Sequence, residues 1–198
     1  MSISVVIGTY GDLDEWTPLV RRAASSVKGQ APRDLVWMHA QSLAEARNKG
    51  AMAATGEWLL FLDADDTLAP GYLAHMREYR GDASLLKPSV QYFDEDGSPR
   101  GEPHLIEPVD LTRGNHLVIG TLVRRQLFLS VGGFEDWGFY EDWALWLRCH
   151  LAGAQIAEVP GAVYQATIRR GSRNRAPHHD EKVRMYREIQ KKILGYIP

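Results

Sequence analysis

Three groups of side chains in this 198-residue chain have the types and spacings that chemistry needs. The first is Asp63-Ala64-Asp65-Asp66, directly after the unbroken apolar run Trp58-Leu59-Leu60-Phe61-Leu62. In an extended segment residues two apart face the same side, so Asp63 and Asp65 point together. Clustered carboxylates repel one another and are costly to bury without a cation. An all-oxygen donor set suits Mg2+ or Mn2+, above all when a diphosphate completes the shell. On spacing alone, the same residues serve equally well as a solvated acidic turn ahead of the helix expected after Pro70. The second group is Glu141-Asp142, between Gly132-Gly133-Phe134 and Trp143-Ala144-Leu145-Trp146-Leu147-Arg148. A carboxylate opening a helix is ordinarily an N-cap, and spacing by itself does not make it a base. The third is Ala46-Arg47-Asn48-Lys49-Gly50, whose cations can pair with phosphates or remain surface charges.

Other chemistries lack their motifs. No G-x-G-x-x-G follows the first apolar run, and neither G-x-x-x-x-G-K-[ST] nor G-x-S-x-G occurs. This argues against a nicotinamide-binding domain, a P-loop ATPase and a serine hydrolase. No Cys/His spacing suits zinc. Adjacent residues seldom chelate one ion from a helix face, so at most one of His178 and His179 is a candidate ligand. Cys149 lies among Trp146, Leu147 and Leu151 and reads as a buried helix thiol.

These groups need elements to hold them. Ile3-Ser4-Val5-Val6-Ile7 reads as a buried strand running into the turn Gly8-Thr9-Tyr10-Gly11. Thr17 with Pro18 predicts a helix start, the helix ending at Gly29. Leu35 to Met38 predicts a second strand. Ser42-Leu43-Ala44-Glu45 is a capping-box pattern opening a helix through Ala54. Trp58 to Leu62 suits a strand covered on both faces, and a helix from Pro70 to about Tyr79 follows. Further strands are expected at Leu85–Phe93, Leu117–Val123, Ile156–Val159 and Ala162–Ile168, with helices at Arg125–Val131, Asp142–Leu151 and Asp180–Leu194. The last is amphipathic, with Val183, Tyr186, Ile189 or Gln190, and Ile193 on one face. Residues 94–114 are polar, lack periodicity, and form a candidate lid or acceptor loop. Alternation of strands and helices implies an α/β fold with a mostly parallel central sheet flanked by helices.

Composition sets the frame. With 44% hydrophobic and 24% charged residues the chain has the make-up of a soluble globular domain, not of a disordered, collagenous or coiled-coil protein. No apolar run reaches the ~18 residues of a membrane span. The first twelve residues lack the basic region of a signal peptide and meet Asp12 early. With a single cysteine, this reads as a reduced, cytoplasmic protein. The net charge of −2 is uneven: residues 165–198 carry nine Lys and Arg against three Asp and Glu. A basic tail points mildly to an anionic partner, and a solvated terminal helix explains it as well.

The order of the motifs is more specific than any one of them. Residues 3–175 resemble a family 2 glycosyltransferase of the GT-A (nucleotide-diphospho-sugar transferase) fold. The resemblance rests on Ser4 to Tyr10, on Glu45 to Gly50 followed by Ala54 to Asp66, and on Gly132-Gly133-Phe134 followed by Glu141-Asp142-Trp143. It implies a GT-A domain over residues 1–175, with a basic C-terminal helix over 176–198 packed on it or extending from it. It places Thr9 and Tyr10 at the nucleobase or ribose, and Arg47 and Arg169 near the nucleotide and its diphosphate. Asp63 and Asp65 fall on the D-x-D of ribose and metal–diphosphate, with Asp66 as a further ligand and Mn2+ or Mg2+ as cofactor. Asp142 falls on the general base with Glu141 beside it. Three departures stand out. Gly8 replaces a common proline. The segment after the second strand is short, leaving His39 or Gln41 to stand in at the base. Arg170 occupies the place of a common metal-ligating histidine, for which His178 or His179 could substitute.

The implied reaction is inverting transfer of one sugar from a nucleotide-diphosphate sugar, a UDP-sugar by the resemblance, to an acceptor hydroxyl. The Q-x-x-R-W motif of processive polysaccharide synthases is absent. Trp137, Phe139, Tyr140 and Trp143 are acceptor-side candidates, with core packing or a sugar-stacking platform as the alternatives. The compact size resembles small phage-type enzymes that glycosylate DNA. Together with Arg169, Arg170, Arg173, Arg175 and the later cations, this keeps a hydroxymethylated DNA base open as the acceptor. A non-catalytic nucleotide-sugar-binding module is the reading from another class. A nucleotidyltransferase is disfavoured because the Gly-rich, Arg-containing loop after the first strand is missing.

Overall fold

The computed structural model describes residues 1–169 and 179–195. Elements follow in the order β1 (Ile3–Tyr10), α1 (Leu13–Val27), β2 (Asp34–Ala40), α2 (Leu43–Ala53), β3 (Trp58–Phe61), β4 (Thr67–Leu68), α3 (Tyr72–Glu78), β5 (Leu85–Asp94), β6 (Pro99–His104), β7 (Leu122–Arg124), α4 (Arg125–Ser130), α5 (Glu141–Leu151), β8 (Ile156–Ile168) and α6 (His179–Leu194). One eight-stranded sheet runs β2-β1-β3-β7-β5-β8-β4, with β6 paired to β5. β2 and β3 lie parallel to β1, β7 is antiparallel to both β3 and β5, and β8 is parallel to β5. Hence β2, β1, β3, β5 and β8 all point one way and form the parallel frame. Their carboxyl ends open on a single edge, where ligands bind in α/β sheets.

Burial explains the frame. Seven of the eight β1 residues and all four of β3 are buried, as expected of strands covered on both faces. Each large apolar side chain so buried contributes about 1.5–3 kcal/mol. The α5 helix presents Trp143, Ala144, Leu145, Trp146, Leu147 and Cys149 to the core. Burial pushes the Cys149 thiol up to about 12, which makes it unreactive at neutral pH.

The structure differs from the sequence expectation in several places: β1 continues through Gly8, Thr9 and Tyr10, expected as a turn, and β4 is an added strand. α1 starts at Leu13, capped by the Asp12 side chain on the Asp14 N–H, and Pro18 lies inside it. Thr17 is helical and donates its hydroxyl to the Leu13 carbonyl. Part of the polar 94–114 segment is β6, a fully exposed strand on β5. The strand expected over Leu117–Val123 shrinks to β7, because a turn from Thr121 N–H to the Val118 carbonyl breaks it. The two strands expected at the end merge into β8, with a register shift against β5 between Pro88 and Ser89.

The α6 helix packs on α5: Tyr186 stacks on Trp143 at 4.7 Å between centroids, and Ile189 is fully buried. No helix among the described residues is long and apolar enough to cross a membrane. Arg170, Arg173, Arg175 and His178 lie outside the described residues.

Candidate active site

A cleft of about 710 Å³ opens at the carboxyl edge of the frame. The end of β1, the turn after β3, the 115–119 segment, the 138–142 segment and the end of β8 line it. Arg47 is its centre. The side chain is 3% exposed, and its guanidinium spans two carboxylates from distant parts of the chain. Nη2 lies 2.6 Å from Asp63 Oδ1 and Nη1 lies 3.1 Å from Glu141 Oε1. Its Cζ sits 4.9 Å from the Phe134 ring centroid. Burial works against the charge, but Asp63 and Glu141 outweigh it and hold the pKa above the usual arginine value. A planar fork suits this bridge as a lysine would not. Gly8 makes room for it: a Cβ there would stand 2.9 Å from Arg47 Cγ.

The acidic turn is organised by β8. Tyr164 donates its hydroxyl to Asp66 Oδ2 at 2.7 Å and accepts from the Asp63 N–H at 3.3 Å. The Thr167 N–H donates to Asp66 Oδ1 at 2.7 Å. Both Asp66 oxygens therefore take protein donors, so Asp66 anchors the turn. Asp65 faces the cleft, with Arg169 Nη1 3.9 Å away. Burial, then neighbouring carboxylates, raise the pKa of both Asp65 and Asp66. Ligand oxygens of Asp63, Asp65 and Asp66 lie within 4.8 Å of one another. An all-oxygen trio under mutual repulsion is a donor set that a hard divalent cation satisfies. His179 opens α6 and is not part of this trio.

The nucleotide-side candidates cluster beside it. Thr9 Oγ1 accepts from Trp37 Nε1 and lies 3.0 Å from His39 Nδ1. His39 is thus the neighbour of Thr9 across β1 and β2, whereas Gln41 is engaged through its backbone N–H by Glu45. The Tyr10 ring stacks near Trp16 at 6.5 Å. Arg169 pairs with Glu15 at 3.3 Å and lies 5.8 Å from the Trp16 ring centroid.

Asp142 stands opposite, at the start of α5. Its Oδ1 accepts from the Trp143 N–H at 2.8 Å and its Oδ2 from Asn115 Nδ2 at 3.0 Å. Burial first, then Glu141, push its pKa up to about 7. A carboxylate with that value takes a proton readily near neutrality. The preceding Tyr140 adopts a left-handed backbone, φ 62°. Such strain costs about 1–2 kcal/mol in a non-glycine residue, and the Tyr140 ring, edge-on to Trp143 at 6.2 Å, holds it in place. Of the four aromatic candidates, Phe139 and Tyr140 line the cleft. Trp143 is core, 1% exposed, and its indole N–H donates to the Leu111 carbonyl. Trp137 is partly buried, with Lys192 Nζ 5.1 Å from its ring centroid.

Two residues of the site carry no motif, and a third supports it from within one. Asn115 and Tyr164 were not singled out by spacing, because each acts on a residue far away in the chain. Asn48, inside the Arg47 block, grips the Phe134 backbone: its Oδ1 accepts from the Phe134 N–H and its Nδ2 donates to the Phe134 carbonyl, both at 2.8 Å. That pair ties the Gly132-Gly133-Phe134 block to α2.

Comparison with known proteins follows the same lines. The family model for glycosyl transferase family 2 matches residues 35–133. The O-antigen biosynthesis protein RfbC of Myxococcus xanthus is 33% identical over 139 residues, which is 62% of this chain and 10% of that protein. The chain thus spans about a tenth of the length of this curated relative. Among solved structures, S. aureus TarS 1-349 superposes with a TM-score of 0.63 at 18% identity, covering 96% of this chain and 64% of that one. Its complex with UDP-GlcNAc superposes at 0.66 and 17%, over 98% and 72%. GalNAc-T7 with UDP, GalNAc and Mn2+ superposes at 0.62 and 17%, over 94% and 48%. At these identities the structural likenesses establish the GT-A fold.

Proposed function

The chain belongs to glycosyl transferase family 2, and from that premise we propose that its cleft transfers one sugar, with inversion, from a UDP-sugar to an acceptor hydroxyl. The observation that carries this reading is one cleft that joins an acidic turn, two arginines and a partly buried carboxylate with a pKa near neutrality. TarS with UDP-GlcNAc and GalNAc-T7 with UDP support the choice of donor.

In this mechanism Thr9 and Tyr10 border the nucleoside, with His39 supporting Thr9. Asp65 and Asp63 would hold Mn2+ or Mg2+, and Asp66 fixes the turn that presents them. The ion, when bound, supplies positive charge to the diphosphate. Arg169, poised between Asp65 and Glu15, adds charge to the leaving diphosphate as the glycosidic bond breaks. Asp142 accepts the acceptor's hydroxyl proton while that oxygen attacks the anomeric carbon from the opposite face, contributing about 10²–10⁴-fold. Arg47 keeps Glu141 and Asp63 in place around both partners.

The acceptor side is walled by Val90, Tyr92, Ile106, Leu117, Phe139 and Tyr140. The cleft's acids outnumber its arginines, which counts against threading a polyanionic strand through it. A DNA acceptor therefore rests on the basic tail alone, and salt-sensitive duplex binding is its test. The main test is a thermal-shift panel of nucleotide sugars with Mn2+, followed by turnover of the stabilising donor. A donor that binds the folded state raises the melting temperature by mass action. Asp142→Asn keeps that shift and loses transfer; full turnover by this variant would overturn the base assignment. A protein that binds donor yet neither transfers nor hydrolyses it is the non-catalytic module instead.

A further inference from the structure

The base carboxylate has a neighbour that comes from none of the sequence motifs. Asn115 uses both ends of its amide. Oδ1 accepts from the Leu117 N–H at 3.0 Å, closing a local turn, and Nδ2 donates to Asp142 Oδ2 at 3.0 Å. The segment that delivers it is held with unusual completeness. The carbonyls of three successive residues are each taken by a side chain from a helix: Leu111 by Trp143 Nε1 at 2.8 Å, Thr112 by Gln190 Nε2 at 2.9 Å, and Arg113 by the Tyr186 hydroxyl at 2.7 Å. Asp110 caps the same turn through the Thr112 N–H and hydroxyl. Trp143 follows Asp142 on α5, and Tyr186 stacks on Trp143 from α6. The helix that carries the base and the strap that touches it are therefore fastened to each other.

We infer that Asn115 is a positioning residue for Asp142, and that α6, through Tyr186 and Gln190, braces the strap that presents it. A carboxylate is free to turn about its last bond. Here the Trp143 N–H fixes one oxygen and Asn115 the other, so the plane of the carboxylate is set before the acceptor arrives. Pre-set geometry of this kind carries a large part of catalysis, and small displacements cost about a hundredfold. This assigns α6 a part in the site although no residue of α6 lines the cleft. The inference rests on Asp142 being the base, but its geometry is open to a test that needs no substrate.

The turn and the contact with the base are separable by substitution. Asn115→Ser and Asn115→Asp both keep a side-chain oxygen for the Leu117 N–H. Serine is too short to reach Asp142, and aspartate replaces the donor with a second negative charge. The charged groups that face Asp142 are Glu141 on its own helix, Arg47 from α2 and Asp63 from the turn after β3, and neither substitution touches them. The experiment is an NMR pH titration of the protein carrying 13C-carboxyl-labelled aspartate, without metal or donor, with circular dichroism to establish the fold. Losing a donor to the charged form moves the Asp142 midpoint upward in Asn115→Ser, and the added charge moves it further in Asn115→Asp. Midpoints that stay at the wild-type value in both folded variants overturn the proposal. Tyr186→Phe, which frees the Arg113 carbonyl, shifts the midpoint in the same direction by less. Full turnover by Asp142→Asn would defeat the base assignment and leave the titration result standing. Full turnover by Asn115→Asp, with Asp142→Asn inactive, would defeat the positioning role alone.

Discussion

An isosteric replacement of Asp142, the proposed base, predicts a trade between activity and stability that depends on pH. Asp142 has its pKa raised from 3.8 to about 7, by burial and then by Glu141. Below pH 3.8 the proton is on Asp142 in both the folded and unfolded chain, and ionisation contributes nothing. As pH rises, the unfolded chain releases that proton first, so the folded state loses stability, and the loss is complete above about pH 7. The rise from 3.8 to about 7 corresponds to roughly 4 kcal/mol. Asp142 is only partly buried, and water screening reduces the figure to about 2–4 kcal/mol. Asparagine mimics the neutral acid, its hydrogen-bonding mismatch with the Trp143 and Asn115 donors included. The Asp142→Asn effect at pH 4 is therefore the reference, and the gain appears at pH 8. At about 2–4 °C per kcal/mol for a domain of this size, the variant's melting temperature relative to wild type rises by roughly 4–16 °C between the two pH values. Thermal unfolding by circular dichroism, without metal or donor, is the assay. An effect equal at both pH values, or larger at pH 4, would refute the assignment of a high pKa to Asp142.

Two further substitutions test the scaffold. Arg47→Met leaves Asp63 and Glu141 without their counter-charge and costs about 3–5 kcal/mol; the lower end applies because the Asp63 side chain is 33% exposed. The expected fall in melting temperature is roughly 6–12 °C, largely recovered when Asp63→Asn and Glu141→Gln are added, and a fall below about 2 °C would show that water carries those charges. Gly120→Ala sets a Cβ 2.1 Å from the Tyr164 ring, whose hydroxyl is tied to Asp66; overpacking costs about 1–3 kcal/mol, and an unchanged urea midpoint would mean that the ring moves freely.

The parallel frame was legible because its signals are local. Ile3 to Ile7 and Trp58 to Leu62 are unbroken apolar runs, and Ser42 with Glu45 is a cap that reads off the chain; the Ser42 hydroxyl does accept from the Glu45 N–H. Local signals failed where two of them competed or where none existed. Pro18 suits a first helical position, but Asp12 caps the same helix a turn and a half earlier. β6 has no apolar face to announce it, since Pro99 to His104 are all exposed and the ladder belongs to β5. The acidic turn, Arg47 and Asp142 were singled out by the order of their motifs along the chain, since spacing alone left each of them an ordinary reading. Asn115 and Tyr164 were not, because an amide and a phenol 27 and 101 residues from their partners leave no spacing to read.

The site's two halves meet in Arg47, and that has a physical consequence. Asp63 belongs to the acidic turn after β3, and Glu141 is the charge next to Asp142. One guanidinium serves both, at 2.6 and 3.1 Å. In a water-poor setting such contacts are strong and mutually dependent. A change in the charge that Asp63 presents, whatever its source, changes how firmly Arg47 holds Glu141. Glu141 is also the neighbouring charge that raises Asp142. Burial is the larger cause of the raised Asp142 pKa and the arginine-centred cluster adds to it, while Asn115 contributes a polar side-chain contact to that carboxylate from outside the cluster.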